Sequence, residues 1–534
     1  MTPRRFAAAI AFAACVVPLA GANATPPVLR IGMPAQPNSL NPIFALFDEE
    51  TLADRLVFDV LVTVAADGRT LLPRLAAVVP SRENGGISAD GLTLTYHLRR
   101  GVRWSDGAPF TSRDVKFSYE AIENPNNNVG NRHAYDLIRS VSTPDDYTVV
   151  FRMKSVYAPA LTDIFSDETP GGIIPAHLLA KYRDLNQVPF NQSPVGTGPY
   201  KVVRWDRGQS VEYVRNDAYY LGRPKIERIS LRFVPDEANA VNQLRTGELD
   251  LFTQGSINAY GLAKNVPGIA TALVDIHGAS NLLINTTRAQ FKDVRVRRAI
   301  AYAIDKAAIA RRVTFGAGTV ATEDLPAYMW AYEPNVQRYD YDPARARALL
   351  KAAGWIPRPD GIVVKNGAPL TAVLAFAQDN VTARLVSVQL QSYLRSAGID
   401  VQLKGYAASM MFAGYSAGGI YQGGNFDLAW YTMTLGTDPE SATRFTCSSI
   451  PPNGQNYSRY CNPEMDAAER DGLRTFDRAA RKRAYARTQR LLARDVPVVF
   501  VFWPKDTEEF TPRLRGFAPN PVTPTWNAHE WELR

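Results

Sequence analysis

Cysteine, histidine and long apolar runs are all scarce in this chain, and each scarcity closes a class of function. Three cysteines stand at Cys15, Cys447 and Cys461, with no C-x-x-C pair, so a zinc ribbon or dithiol redox centre has no framework. The five histidines, His97, His133, His177, His277 and His529, lie far apart, and no H-E-x-x-H occurs. No metal, no cofactor and no nucleophile elbow is expected, and no two carboxylates stand out as an acid–base pair. Ser166-Asp167-Glu168 reads as a solvated loop. Beyond residue 24 the longest apolar candidate is Val496 to Trp503, interrupted by Pro497. It falls far short of the ~20 residues that span a bilayer and reads as a buried strand. The net charge of +8 is scattered over the chain without a basic, aromatic-rich stripe, so no nucleic-acid partner is expected.

Residues 1–24 read as a secretory signal peptide. Arg4 and Arg5 form the charged start, Phe6 to Leu19 is apolar, and Ala22-Asn23-Ala24 is a cleavage site before Thr25. Phe12-Ala13-Ala14-Cys15 is the alternative, a lipoprotein signal. Leu is usual where Phe12 stands, and the apolar run continues past Cys15, which disfavours lipid anchoring. Cleavage would leave Cys447 and Cys461. An even count in an oxidising compartment favours a disulfide over two buried thiols. The rest of the 534 residues is too long for one core, so two or three domains are expected.

The most informative stretch is Gly91 to Glu120. Leu92, Leu94, Tyr96 and Leu98 alternate with Thr93, Thr95, His97 and Arg99, the period of a half-buried strand. Ser105-Asp106-Gly107 is a turn. Thr111 with Asp114 three residues on predicts a capped helix start, with Trp104 between strand and helix. The order strand, Arg-Arg-Gly, Val-x-Trp-Ser-Asp-Gly, then Asp-Val-x-Phe-Ser-Tyr resembles the family 5 solute-binding proteins. Further matches are Gly196-Thr197-Gly198-Pro199-Tyr200, Asn216 to Tyr220, Asn239 to Leu251, and Phe291 to Asp305. In the last, Arg295, Arg297 and Arg298 read as the solvated face of a helix.

The resemblance covers about residues 29–534 and implies a two-lobed α/β periplasmic binding protein, of the Venus-flytrap, cluster C type. It implies a small extra α/β domain inserted in the first lobe. The expected boundaries are 25–62, 187–278 and 508–534 for the first lobe, 63–186 for the inserted domain and 279–507 for the second lobe. Helix–strand alternation in the second lobe predicts a mostly parallel sheet. The implied activity is that of a monomeric receptor, not an enzyme. It would capture a peptide or peptide-like solute between lobes and deliver it to an ABC permease. An oligosaccharide receptor is the alternative within the family, and a secreted hydrolase a remote one.

Peptide-binding relatives hold the ligand's α-ammonium on an Asp in a segment Trp-x-x-Asp-x-x-Asp/Glu-Pro. Aligned on Asp438-Pro439, this chain places Thr432 at the Trp and Leu435 at that Asp. Ala377 falls near the Arg that takes the α-carboxylate in dipeptide-binding relatives, with Asp379 or Arg384 as possible substitutes. A ligand needing no ammonium clamp is therefore expected, because an unpaired buried charge is costly. The remaining site residues expected from the resemblance are Gln36, Asn38 and Ser39 in a turn-rich loop, with Trp330 and Trp430 as aromatic walls. Trp430 reads equally as core.

Overall fold

The computed structural model describes residues 27–168 and 171–534. The leader reading, with Arg4, Arg5 and Cys15, lies outside them. No helix among the described residues is long and apolar enough to cross a membrane.

Two large sheets carry the architecture. The first has seven strands in the order 270–275, 505–510, 251–255, 28–33, 228–233, 210–215, 200–206. The second has six, in the order 319–320, 498–503, 278–284, 428–434, 371–377, 400–406. The second sheet is mixed rather than mostly parallel. Gly278–Ile284 runs antiparallel to both Leu428–Thr434 and Val498–Trp503, while Thr371–Ala377 is parallel to its two neighbours. The antiparallel half arises because the strand entering from the first sheet and the strand returning to it lie side by side. A third sheet, 93–97, 148–153 and 138–145, forms the small unit built from residues within the expected insertion.

The chain passes between the two large sheets twice. It leaves Asp275 through Ile276 and His277 to reach Gly278, and returns from Trp503 through Pro504 to Lys505. A side chain on Gly278 would run into the carbonyl oxygen of Met433, so the entering strand starts on a residue that has none. The apolar core is divided likewise. One cluster joins the first sheet to the small unit, and two others cover the faces of the second sheet.

The small unit follows its sequence pattern closely. Leu94 and Tyr96 are fully buried on one face of Thr93–His97. The helix Ser112–Glu123 starts with the capping box of Thr111 and Asp114. Asp114 also accepts from the Trp104 indole at 3.3 Å, which ties the buried tryptophan to the helix start. The Gly196–Gly198 turn approaches Val57 so closely that a Cβ on either glycine would overlap the Val57 carbonyl.

Candidate functional site

Two adjoining cavities lie where the chain crosses between the sheets. One, of about 400 Å³, has Asp48 and Thr51 from the first lobe and Leu435 and Arg444 from the second on its walls. The other, of about 340 Å³, runs from Ser256 across to Trp430 and Thr432. Ile276 and Asp506, one at each crossing, line both, so the two cavities form one interlobe cleft.

The far end of the cleft is aromatic. Tyr421 is 5.3 Å from Tyr431 and 5.1 Å from Phe412, and its hydroxyl donates to the Trp430 carbonyl at 2.7 Å. Trp430 is 5% exposed, packs on Phe502 at 5.9 Å, and lines the cleft. It is both core and wall. Thr432 is exposed there and shares a 2.9 Å hydrogen bond with Ser280. Ala377 lines the same cavity. Neither proposed substitute joins it: Asp379 accepts from the Ala408 amide at 2.9 Å, and Arg384 donates to the Gln378 carbonyl.

The other end is charged. Burial, reinforced by the nearby Asp48 charge, raises the Asp506 carboxyl to about 7. By surface area Asp506 is an exposed residue facing the cleft, so what desolvates it is the surrounding cleft wall rather than core packing. Burial likewise raises Glu168 to about 8 and lowers His277 to about 4. Glu168 accepts from the Thr437 amide at 2.7 Å, across from the small unit to the second lobe. Asp167 beside it is 3% exposed and pairs with Arg55 at 3.2 Å. The expected solvated loop at Ser166-Asp167-Glu168 is therefore corrected. Ser166 and Asp167 are buried because two partners distant in sequence, Thr63 and Arg55, meet Asp167 there. Glu168 was missed for the same reason, since its partner is 269 residues away.

The other expected residues fall outside the cleft. Trp330 and Asp438 line a separate cavity of about 550 Å³ between the small unit and the second lobe. There Arg481 donates to both Asp438 oxygens, at 2.5 and 2.6 Å. The Arg478 and Arg481 guanidiniums lie 5.0 and 5.4 Å from the Trp330 ring centre. Asn38 and Ser39 line a third cavity, of about 800 Å³, with residues 186–193. Their side chains are engaged locally: Asn38 donates to Glu50 at 2.8 Å, and Ser39 accepts from the Asn41 amide at 3.0 Å. Gln36 is exposed and accepts from the Gly208 amide at 2.9 Å.

Against the expectation of no nucleophile elbow, Gly414-Tyr415-Ser416-Ala417-Gly418 does spell G-x-S-x-G. It sits on an exposed 3₁₀ turn between two short helices rather than on a strand-to-helix turn, and Ser416 has no histidine partner among the described residues. No group of three His, Cys, Asp or Glu side chains among the described residues could hold a metal ion.

A two-lobed α/β scaffold with a cleft at a double crossing defines the class of the bacterial binding-protein fold. Residues 72–453 match the family described as bacterial extracellular solute-binding proteins, family 5, and the chain belongs to that family. The glutathione-binding protein GsiB of Pectobacterium atrosepticum is 30% identical over 445 residues, covering 82% of each chain. Among solved structures, NikZ of Campylobacter jejuni, in complex with Ni(L-His), is 27% identical with a TM-score of 0.79, covering 95% of this chain and 99% of NikZ. The oligopeptide-binding protein AppA of Bacillus subtilis, in complex with a nonapeptide, is 25% identical with a TM-score of 0.77, covering 96% and 100%.

Proposed function

We propose that the protein is the periplasmic receptor of an ABC importer, closing two lobes over a peptide or peptide-like solute and presenting it to a membrane permease. The observation that carries this reading is the cleft at the double crossing, lined by Trp430, Thr432 and Leu435, with residues of both large sheets on its walls. Ile276-His277 and Pro504 are the hinge, and residues 63–186 ride with the first lobe. A ligand touching both sheets favours the closed form by the contacts that only that form makes. The leader of residues 1–24 is cleaved on export, Cys15 is not lipidated, and the receptor works as a monomer without catalysis.

The peptide reading is favoured over the oligosaccharide. Stacked sugars need an open ring face. Trp330 already has two guanidiniums against its ring, and Trp430 is 5% exposed and packed on Phe502. GsiB is named for binding glutathione and AppA for binding oligopeptides. Mass spectrometry of the solute that co-purifies after gentle isolation tests the reading. A peptide-like mass is expected. A carbohydrate mass, or a substrate that the purified protein turns over, would overturn it.

A further inference from the structure

Outside the cleft, the cavity of about 550 Å³ between the small unit and the second lobe is lined by four arginines, Arg69 and Arg82 from one side and Arg478 and Arg481 from the other. It shares no lining residue with either part of the cleft. Two of the four guanidiniums are engaged. Arg481 holds both oxygens of Asp438, and Arg69 lies 3.5 Å from Asp67 and donates to the Tyr328 carbonyl at 3.3 Å. The side chains of Arg82 and Arg478 make no hydrogen bond and no ion pair among the described residues. Glu83, the other carboxylate on the wall, is exposed and stands beyond ion-pair distance of both.

Two further observations point to an anion. Arg478, Arg481 and Lys482 crowd the start of the 18-residue helix Arg478–Asp495, and no carboxylate follows the cap Asp477 in its first turn. Cations are unfavourable there, because the unpaired amides at the helix start already present positive charge. Arg478 is also held in place, with its guanidinium 5.0 Å from the Trp330 ring centre. A guanidinium lying over a ring keeps its N–H edge for an oxyanion, and loses less freedom on binding one. Leu71, Ile87 and Phe476 add an apolar wall. The volume falls within the roughly 300–1,000 Å³ usual for small-ligand sites.

We propose that this cavity is a second ligand site, taking a small organic anion. Its phosphate or carboxylate is drawn by Arg82 and Arg478, and its apolar body lies against Leu71, Ile87 and Phe476. The site does not depend on what the cleft takes. Arg82 comes from the expected insertion and Arg478 from the second lobe, so a bound anion touches both and favours the arrangement that keeps them together.

The probes are phenyl phosphate, benzoate and, as the uncharged counterpart, benzyl alcohol. Each is titrated calorimetrically into the full mature chain at constant ionic strength. At least one anion is expected to bind about tenfold or more tightly than benzyl alcohol, and the tighter of the two identifies the oxyanion. Arg82→Gln and Arg478→Gln should each cut that preference by about tenfold, the usual scale for one charge-assisted pair. Neither side chain holds another residue, so unfolding midpoints like the wild type's are expected for both variants. The net charge of +8 makes general attraction the competing explanation. Arg228→Gln, at an exposed position outside the cavity, removes the same charge and should leave the preference intact. Three results overturn the inference: anions bound no better than benzyl alcohol, a preference undiminished in both cavity variants, or an equal loss in Arg228→Gln. None of the three bears on the peptide reading of the cleft.

Discussion

Arg481 shows how a single side chain can be misread from sequence. It stands in a run rich in Arg and Lys, Arg478 to Arg494, and nothing local marks it as buried. In the fold it is 7% exposed, holds both oxygens of Asp438, donates to the Gly472 carbonyl at 2.9 Å, and covers Trp330. Replacing it by Ala leaves Asp438 buried and unpaired among Asp163 and Glu440. A loss of about 3–5 kcal/mol is expected in urea unfolding. Arg481→Ala with an unchanged midpoint would show that Asp438 has another source of compensation. Arg297 makes the same point. Its expected solvated face is corrected, because it is 8% exposed and donates to the Asp495 and Phe291 carbonyls. Periodicity marks which residues of a helix share a face. It does not reveal that a backbone carbonyl from another segment will be waiting for a guanidinium.

At the scale of elements the reading from sequence goes furthest where the signals are local. The capped helix at Thr111 and the strand at Val498–Trp503 both follow from neighbours in sequence. The Cys447–Cys461 bridge is present, closing a loop of separation 14. That loop also has its own internal ties: Asn456, fully buried, donates to the Thr446 and Tyr460 carbonyls at 2.9 and 2.6 Å. Replacing both cysteines by Ser should lower unfolding stability by about 2–3 kcal/mol on the chain-entropy account for a loop of this length. Equal urea midpoints for the oxidised wild type and the double variant would contradict that. The cleft was less legible, because Glu168, His277 and Asp506 come from three distant segments and none carries a motif.

At the scale of the whole molecule, buried carboxyl groups set the response to pH. Burial raises Glu168 and Glu469 to about 8, and Asp163 to about 7. Between their ordinary values and these, the folded state holds protons that the unfolded chain has released, so stability falls as pH rises through that window. His277, lowered to about 4, works in the opposite sense, but only below its ordinary 6.5. From pH 6.5 to 8 the carboxyl groups therefore act unopposed by it, and the Tm of the cargo-free protein should fall. Calorimetric scans at the two pH values check this, and Glu469→Gln should flatten the slope. A Tm that rises over the interval would contradict it.

The placement of Lys505–Phe510 has a consequence for the order in which the protein is made. This strand is not an edge. It lies between Leu251–Gly255 and Ala270–Asp275, pairing Phe510 with both Leu251 and Ala270. Until the ribosome has added residue 510, the first sheet has a gap between two of its strands, and the loop that closes it spans nearly half the chain. Contacts so distant in sequence form slowly, because the loop entropy must be overcome before they contribute. A nascent chain lacking only its last thirty residues is thus still without a finished first lobe. The lateness of one strand leaves the first sheet unfinished until the end of synthesis, whatever the second sheet has already done.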